Sequence, residues 1–138
     1  MKNLALLIFT FLSVTAHAQL AQDSNVLLVF EKQIDQPDAD EMEVINLLEH
    51  YLSDKTSLNI TADKDDVDYI LQLSVVKKGL GNRRGKLVVV DPVSTDVIFE
   101  SKWILGTRNM FYGLSGERHA IARLVSGKLV SEYPEVKK

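Results

Sequence analysis

Apolar positions along the chain repeat with two periods, and polar or glycine-rich breaks separate the runs. Val26 to Phe30 is a continuous apolar run rich in branched residues, which predicts a strand buried on both faces and central in its sheet. Asp35-Gln36-Pro37-Asp38 breaks it. Met42, Ile45, Leu48 and Leu52 then recur at helical spacing, widened by Val44, Leu47 and Tyr51, and predict a helix from Asp38 to Asp54. Acidic residues crowd its amino end, as the helix dipole prefers. Leu58 to Thr61 reads as a short strand and Asp63 to Asp68 as an acidic turn. Tyr69 to Val76 alternates with period two, with Tyr69, Leu71, Leu73 and Val75 on one side. Lys77 to Lys86 reads as a turn, Leu87 to Val90 as a strand, and Asp91 to Asp96 as a second turn. Val97 to Leu105 alternates again, with Val97, Phe99, Trp103 and Leu105 sharing a face. After a glycine-punctuated loop, Gly106 to Gly116, Ser115 can cap a last helix whose stripe is Ala120, Ile121, Leu124, Val125 and Leu129. That helix stops before Pro134, and Glu135 to Lys138 reads as a frayed tail.

The element order is βαββββα. It predicts one two-layer α+β domain, a mostly antiparallel sheet of about five strands with two helices on one face. The domain covers 19–138, with Gln19 to Asn25 as a loose polar leader. What precedes it has a different character. Lys2 is followed by the apolar stretch Leu4 to Val14 and then by Ala16-His17-Ala18, the order of a secretory signal peptide. The apolar stretch is about half the roughly 20 residues a spanning helix needs, so no transmembrane anchor is expected. Cleavage is expected after Ala18, with Ala21 as a second choice. The expected location is the periplasm or the exterior of a bacterial cell.

Composition sharpens this in one respect: the chain contains no cysteine. A disulfide framework, thiol chemistry and a lipid-modified cysteine are therefore excluded. Charge is unevenly distributed. From Gln19 to Gln72 there are thirteen acidic and three basic residues, and from Leu73 to Lys138 six acidic and twelve basic. Two complementary solvated surfaces, or two faces that meet different partners, would produce that asymmetry.

The densest candidate chemistry is the basic set Lys77, Lys78, Arg83, Arg84 and Lys86, interleaved with Gly79, Gly81 and Gly85. Glycines let backbone amides approach an anion, so an anionic ligand or polymer is one reading and a charged hairpin tip the other. The glycine spacing is not a nucleotide-binding fingerprint. Nucleic acid is not an expected partner, because no aromatics interleave the cations and the net charge is −3. Met110, Phe111 and Tyr112, flanked by glycines, suit either an exposed partner contact or a cap folded back on the core.

Asp63, Asp65, Asp66 and Asp68 miss the calcium-loop pattern, which needs glycine where Asp68 stands and glutamate where Ser74 stands. His50 and His119 have no second ligand at metal spacing, so neither metal nor cofactor is expected. Ser115 misses a nucleophile elbow by one position. The expectation is a non-enzymatic domain.

The stretch Asp68-Tyr69-Ile70-Leu71, followed by Leu87-Val88-Val89-Val90-Asp91-Pro92-Val93-Ser94-Thr95-Asp96-Val97-Ile98-Phe99-Glu100, resembles the small periplasmic α/β domains of the TolB amino-terminal type. The periplasmic part of the curli-secretion channel and the outer-membrane activators of penicillin-binding proteins carry similar hairpins. Here Asp96 stands in place of the usual turn glycine and Val67 in place of the usual alanine. The resemblance implies a binding module within an envelope assembly, with an envelope protein as partner. It carries over no functional residue.

Overall fold

The computed structural model describes residues 19–108 and 115–138. The leader expected over 1–18 falls outside them, as do Met110, Phe111 and Tyr112. Strand β1 (Asn25–Phe30) leads into helix α1 (Glu41–Lys55), and β2 (Asn59–Ile60) and β3 (Tyr69–Lys78) follow. Then come β4 (Asn82–Val90), β5 (Val97–Glu100), β6 (Ile104–Gly106) and helix α2 (Gly116–Ala122). The strands form one mixed sheet in the order β2-β1-β3-β4-β5, with β6 also on β4. β1 runs parallel to β2 and β3 because α1 is a crossover that returns the chain to the end where β1 began. The remaining pairings are antiparallel. This is an α+β fold of two layers, sheet and helices.

One side of the sheet builds the core. Leu71, Leu73 and Val75 of β3 and Leu87 and Val89 of β4 have 0% exposure, as do Val44, Leu48 and Leu52 of α1. Each such side chain contributes about 1.5–3 kcal/mol relative to exposure. Asp40 caps α1 by accepting from the Glu43 amide at 2.8 Å, which starts the helix later than Asp38. Met42 does not join the buried stripe; it is 74% exposed, since it lies about 200° around the helix from Val44. β1 is less buried than its composition predicts. Only Val26 is fully covered, while Leu28 and Phe30 pack against the core and Leu27 and Val29 lie half-exposed on the other face.

α2 runs without a break into a π-helical segment, Arg123–Leu129, and a last α-helical turn, Val130–Glu132. Ile121, Val125, Leu129 and Tyr133 are all buried and spaced by four. In a regular α-helix four residues overshoot one turn by about 40°, so such a row drifts off its face. The wider π turns counter the drift and keep the row on the sheet.

Four expectations are corrected at the edges of the fold. The basic segment is not a ten-residue turn, because β3 and β4 extend through it. The reversal itself is Gly79-Leu80-Gly81, with Lys78 opposite Asn82. The strand expected over Val97–Leu105 is broken at Ser101-Lys102-Trp103. There the buried Ser101 hydroxyl accepts from the Leu87 amide at 2.9 Å, and the break swaps faces: Phe99 and Ile104 look to the core while Leu105 is 43% exposed. The tail is not frayed. Val136 has 0% exposure, its carbonyl accepts from the Ser57 amide at 2.8 Å, and the Lys138 amide donates to Lys55. Nor is the start a loose leader, since Leu20 is fully buried. No helix among the described residues is long and apolar enough to cross a membrane.

Candidate functional site

The hairpin end of the molecule gathers the sequence candidates. Gly79 and Gly81 have φ of +66° and +79°, a left-handed geometry that glycine adopts without strain. Between them Leu80 is 98% exposed, held out beyond the last paired residues. Lys77 and Lys78, just before the turn, are exposed as well.

Strand alternation then sorts the remaining cations. Arg83 points to the helix side, where its Nε–H donates to the Glu117 carboxylate; the side chains are only 17% and 10% exposed. Gly85 also faces α2. A side chain there would meet Leu124 at 3.0 Å and Ala120 at 3.5 Å, so this glycine serves packing rather than anion contact. Arg84 and Lys86 point to the outer face. Both cations lie 5.9 Å from the centre of the Trp103 ring, within cation–π range, and Lys86 also pairs with Glu100. The five cations therefore do not converge on one point. Arg83 is committed to the fold, Lys86 is shared with a carboxylate, Arg84 lies half-buried against Trp103, and Lys77 and Lys78 are exposed next to the turn that carries Leu80.

The chain on either side of 109–114 is anchored to the same hairpin. The Arg108 amide donates to Asn82 Oδ1 at 3.3 Å. Gly116 rests on the hairpin so closely that a Cβ there would lie 2.3 Å from the Gly81 carbonyl oxygen. Ser115 caps α2, as its position predicts, by accepting from the Arg118 amide at 3.2 Å. Met110, Phe111 and Tyr112 lie between these two positions in the sequence, outside the described residues. A loop from Glu31 to Pro37 borders the same region, tied to β3 by Gln33 donating to Ser74 and Lys77 donating to the Pro37 carbonyl. It presents Ile34, 99% exposed, beside Asp35.

The other candidates have structural partners. His119 Nδ1 lies 3.0 Å from the Thr107 amide, so it accepts there and holds the end of β6 against α2. His50 is exposed and stands edge-on to Tyr51. Asp68 accepts from the Asn25 amide at 2.8 Å and pins the start of β1, while Asp63 accepts from the Asp65 amide within its turn. Burial raises the hydroxyl pKa of both Tyr69 and Tyr133; nearby Asp91 and Asp68 add to the first, and Glu132 and Glu135 to the second.

Sequence reasoning missed Leu80 and Trp103. Leu80 was signalled by its place between two glycines at a reversal. Trp103 was assigned to the wrong face because the bulge before it cannot be seen in a period-two pattern. No protein-family model, curated protein or solved structure matches this chain.

Proposed function

We propose that this chain is an exported, non-catalytic binding domain of the bacterial cell envelope, and that its hairpin end contacts an acidic protein partner. One observation carries the reading: a fully exposed Leu80 stands at the tip of a hairpin beside the exposed cations Lys77 and Lys78. An apolar anchor inside a polar, charged rim is the anatomy of a protein interface. The contacts of the flanking Arg108 and Gly116 with the same hairpin support it, since Met110, Phe111 and Tyr112 lie between them in the sequence. The division of the five cations between two faces weighs against a compact anion cradle.

The alternative is an anionic envelope polymer or small anion held at Arg84 and Lys86, and the Trp103 cluster favours it. The two readings separate in one experiment. A photoreactive residue is placed at Leu80 and, separately, at Arg84, and intact cells are irradiated. The expected result is a discrete protein adduct at Leu80. An abundant, folded chain with no protein adduct at either position would overturn the protein-partner reading and direct attention to the polymer.

A further inference from the structure

The first described residues are part of the fold rather than a leader to it. Leu20 has 0% exposure and belongs to the central apolar cluster. The Gln19 carbonyl accepts from the Tyr69 hydroxyl at 3.0 Å. Ala21 and Ser24 close a small turn on each other, the Ala21 amide donating to Ser24 Oγ at 3.1 Å and the Ser24 amide to the Ala21 carbonyl at 3.2 Å. Within that turn Asp23 adopts a φ of +62°. Asn59 then fastens the turn from outside, its side-chain amide donating to the Asp23 carbonyl at 3.0 Å and its backbone amide to that of Ser24 at 2.9 Å. Residues 19–24 form a strap across the start of β1 and β2.

This bears on the two small-residue positions at which a leader could be removed. Cleavage after Ala21 would discard Leu20 from the core and the carbonyl that Tyr69 binds. It would also put Gln19, a large polar residue, three positions before the cut, where a small residue is read. Cleavage after Ala18 keeps the whole strap and places Ala16 and Ala18 at the two positions that are read. The strap also sets an order of events. A peptidase holds its substrate extended on both sides of the scissile bond, but in the folded domain the second residue beyond Ala18 is locked in the core.

Resting on the reading of this chain as exported, we infer that the processing site is the Ala18–Gln19 bond and that it is cut before this corner of the domain closes. Water adds across that peptide bond, leaving a carboxylate on Ala18 and an ammonium on Gln19. The domain therefore reaches the peptidase unfolded at this end, and the new terminus becomes structural.

Intact-mass measurement and amino-terminal sequencing of the protein recovered from the cell envelope test the site. The expected terminus is Gln19, or its cyclised form lighter by one ammonia. A terminus at Gln22 would overturn the inference and leave export intact. A full-length chain retained in the cytosol would overturn export and the inference together. For the order of events, full-length precursor is presented to purified signal peptidase either folded or freshly diluted from urea. The folded form should be cut at least about tenfold more slowly, because cleavage must await local opening; equal rates would overturn that part. In the chain beginning at Gln19, Leu20→Ala should lower Tm by roughly 10 °C and Leu20→Val by less. An unchanged Tm in both would show that the strap is not structural.

Discussion

Arg83 and Arg84 are neighbours with opposite duties, because successive residues on a strand face opposite ways. Arg83→Ala leaves the Glu117 carboxylate, only 10% exposed, without its cation. The expected cost is about 2 kcal/mol of stability, read as a lower denaturation midpoint with crosslinking of the folded protein unchanged. Arg84→Ala removes a contact with Trp103 worth no more than about 1 kcal/mol. It should leave the midpoint nearly in place and lower the yield of partner adduct at Leu80. A result in which Arg83→Ala affects only the adduct and Arg84→Ala only the midpoint would refute the assignment of faces.

The elements were legible where one period ran unbroken. The stripes of α1, apart from Met42, and of α2, the core side of β3 and the Ser115 cap could be read because local pattern and tertiary packing agree there. The hairpin was misread as a long turn because lysines and arginines look like loop, although Asn82, Arg84 and Lys86 keep the outward parity of β4. The π segment left a trace, the four-residue spacing of Ile121, Val125, Leu129 and Tyr133, which resembles an α stripe until its drift is worked out. The bulge at Ser101 left none, since its cause is a hydroxyl replacing a ladder partner. Ser101→Ala removes that hydroxyl and leaves the buried Leu87 amide without its acceptor. A loss of about 1–3 kcal/mol is expected in urea denaturation; Ser101→Thr should retain part of it. No loss in the alanine variant would mean that water or a shifted strand replaces the bond. The candidate site was only half legible, because which cations share a face depends on where the turn falls.

At the scale of the whole molecule, both ends of the described chain are tied to the stretch from Thr56 to Asn59, which leads from α1 into β2. Asn59 holds the strap 19–24, and Thr56 bridges Lys137. The hairpin lies at the other end of β3. Two buried tyrosines sit near the tied end, Tyr69 donating to Gln19 and Tyr133 donating to the Ile98 carbonyl at 3.3 Å. Both hydroxyl pKa values are raised above 10.0 in the folded state, first by burial and then by acidic neighbours. The folded state thus holds these protons more tightly than the unfolded one. Their contribution is complete below about pH 10 and is lost as pH rises through the folded values. Urea midpoints measured at pH 9 and 11 should fall with alkalinity, and the fall should be shallower in the Tyr69→Phe, Tyr133→Phe double variant. An equal fall in both proteins would assign the alkaline loss to other groups.

The alternation of β4 has one more consequence. Its odd positions, from Arg83 through Val89, hold the helices, while its even positions from Arg84 through Val88 look outward, so the proposed recognition and the folding draw on separate letters of the same nine-residue word. Lineages could rewrite Arg84, Lys86 and Val88 to suit a changing partner while the scaffold beneath stayed as it was. A randomised library at those three positions should yield mostly folded proteins with altered binding preferences.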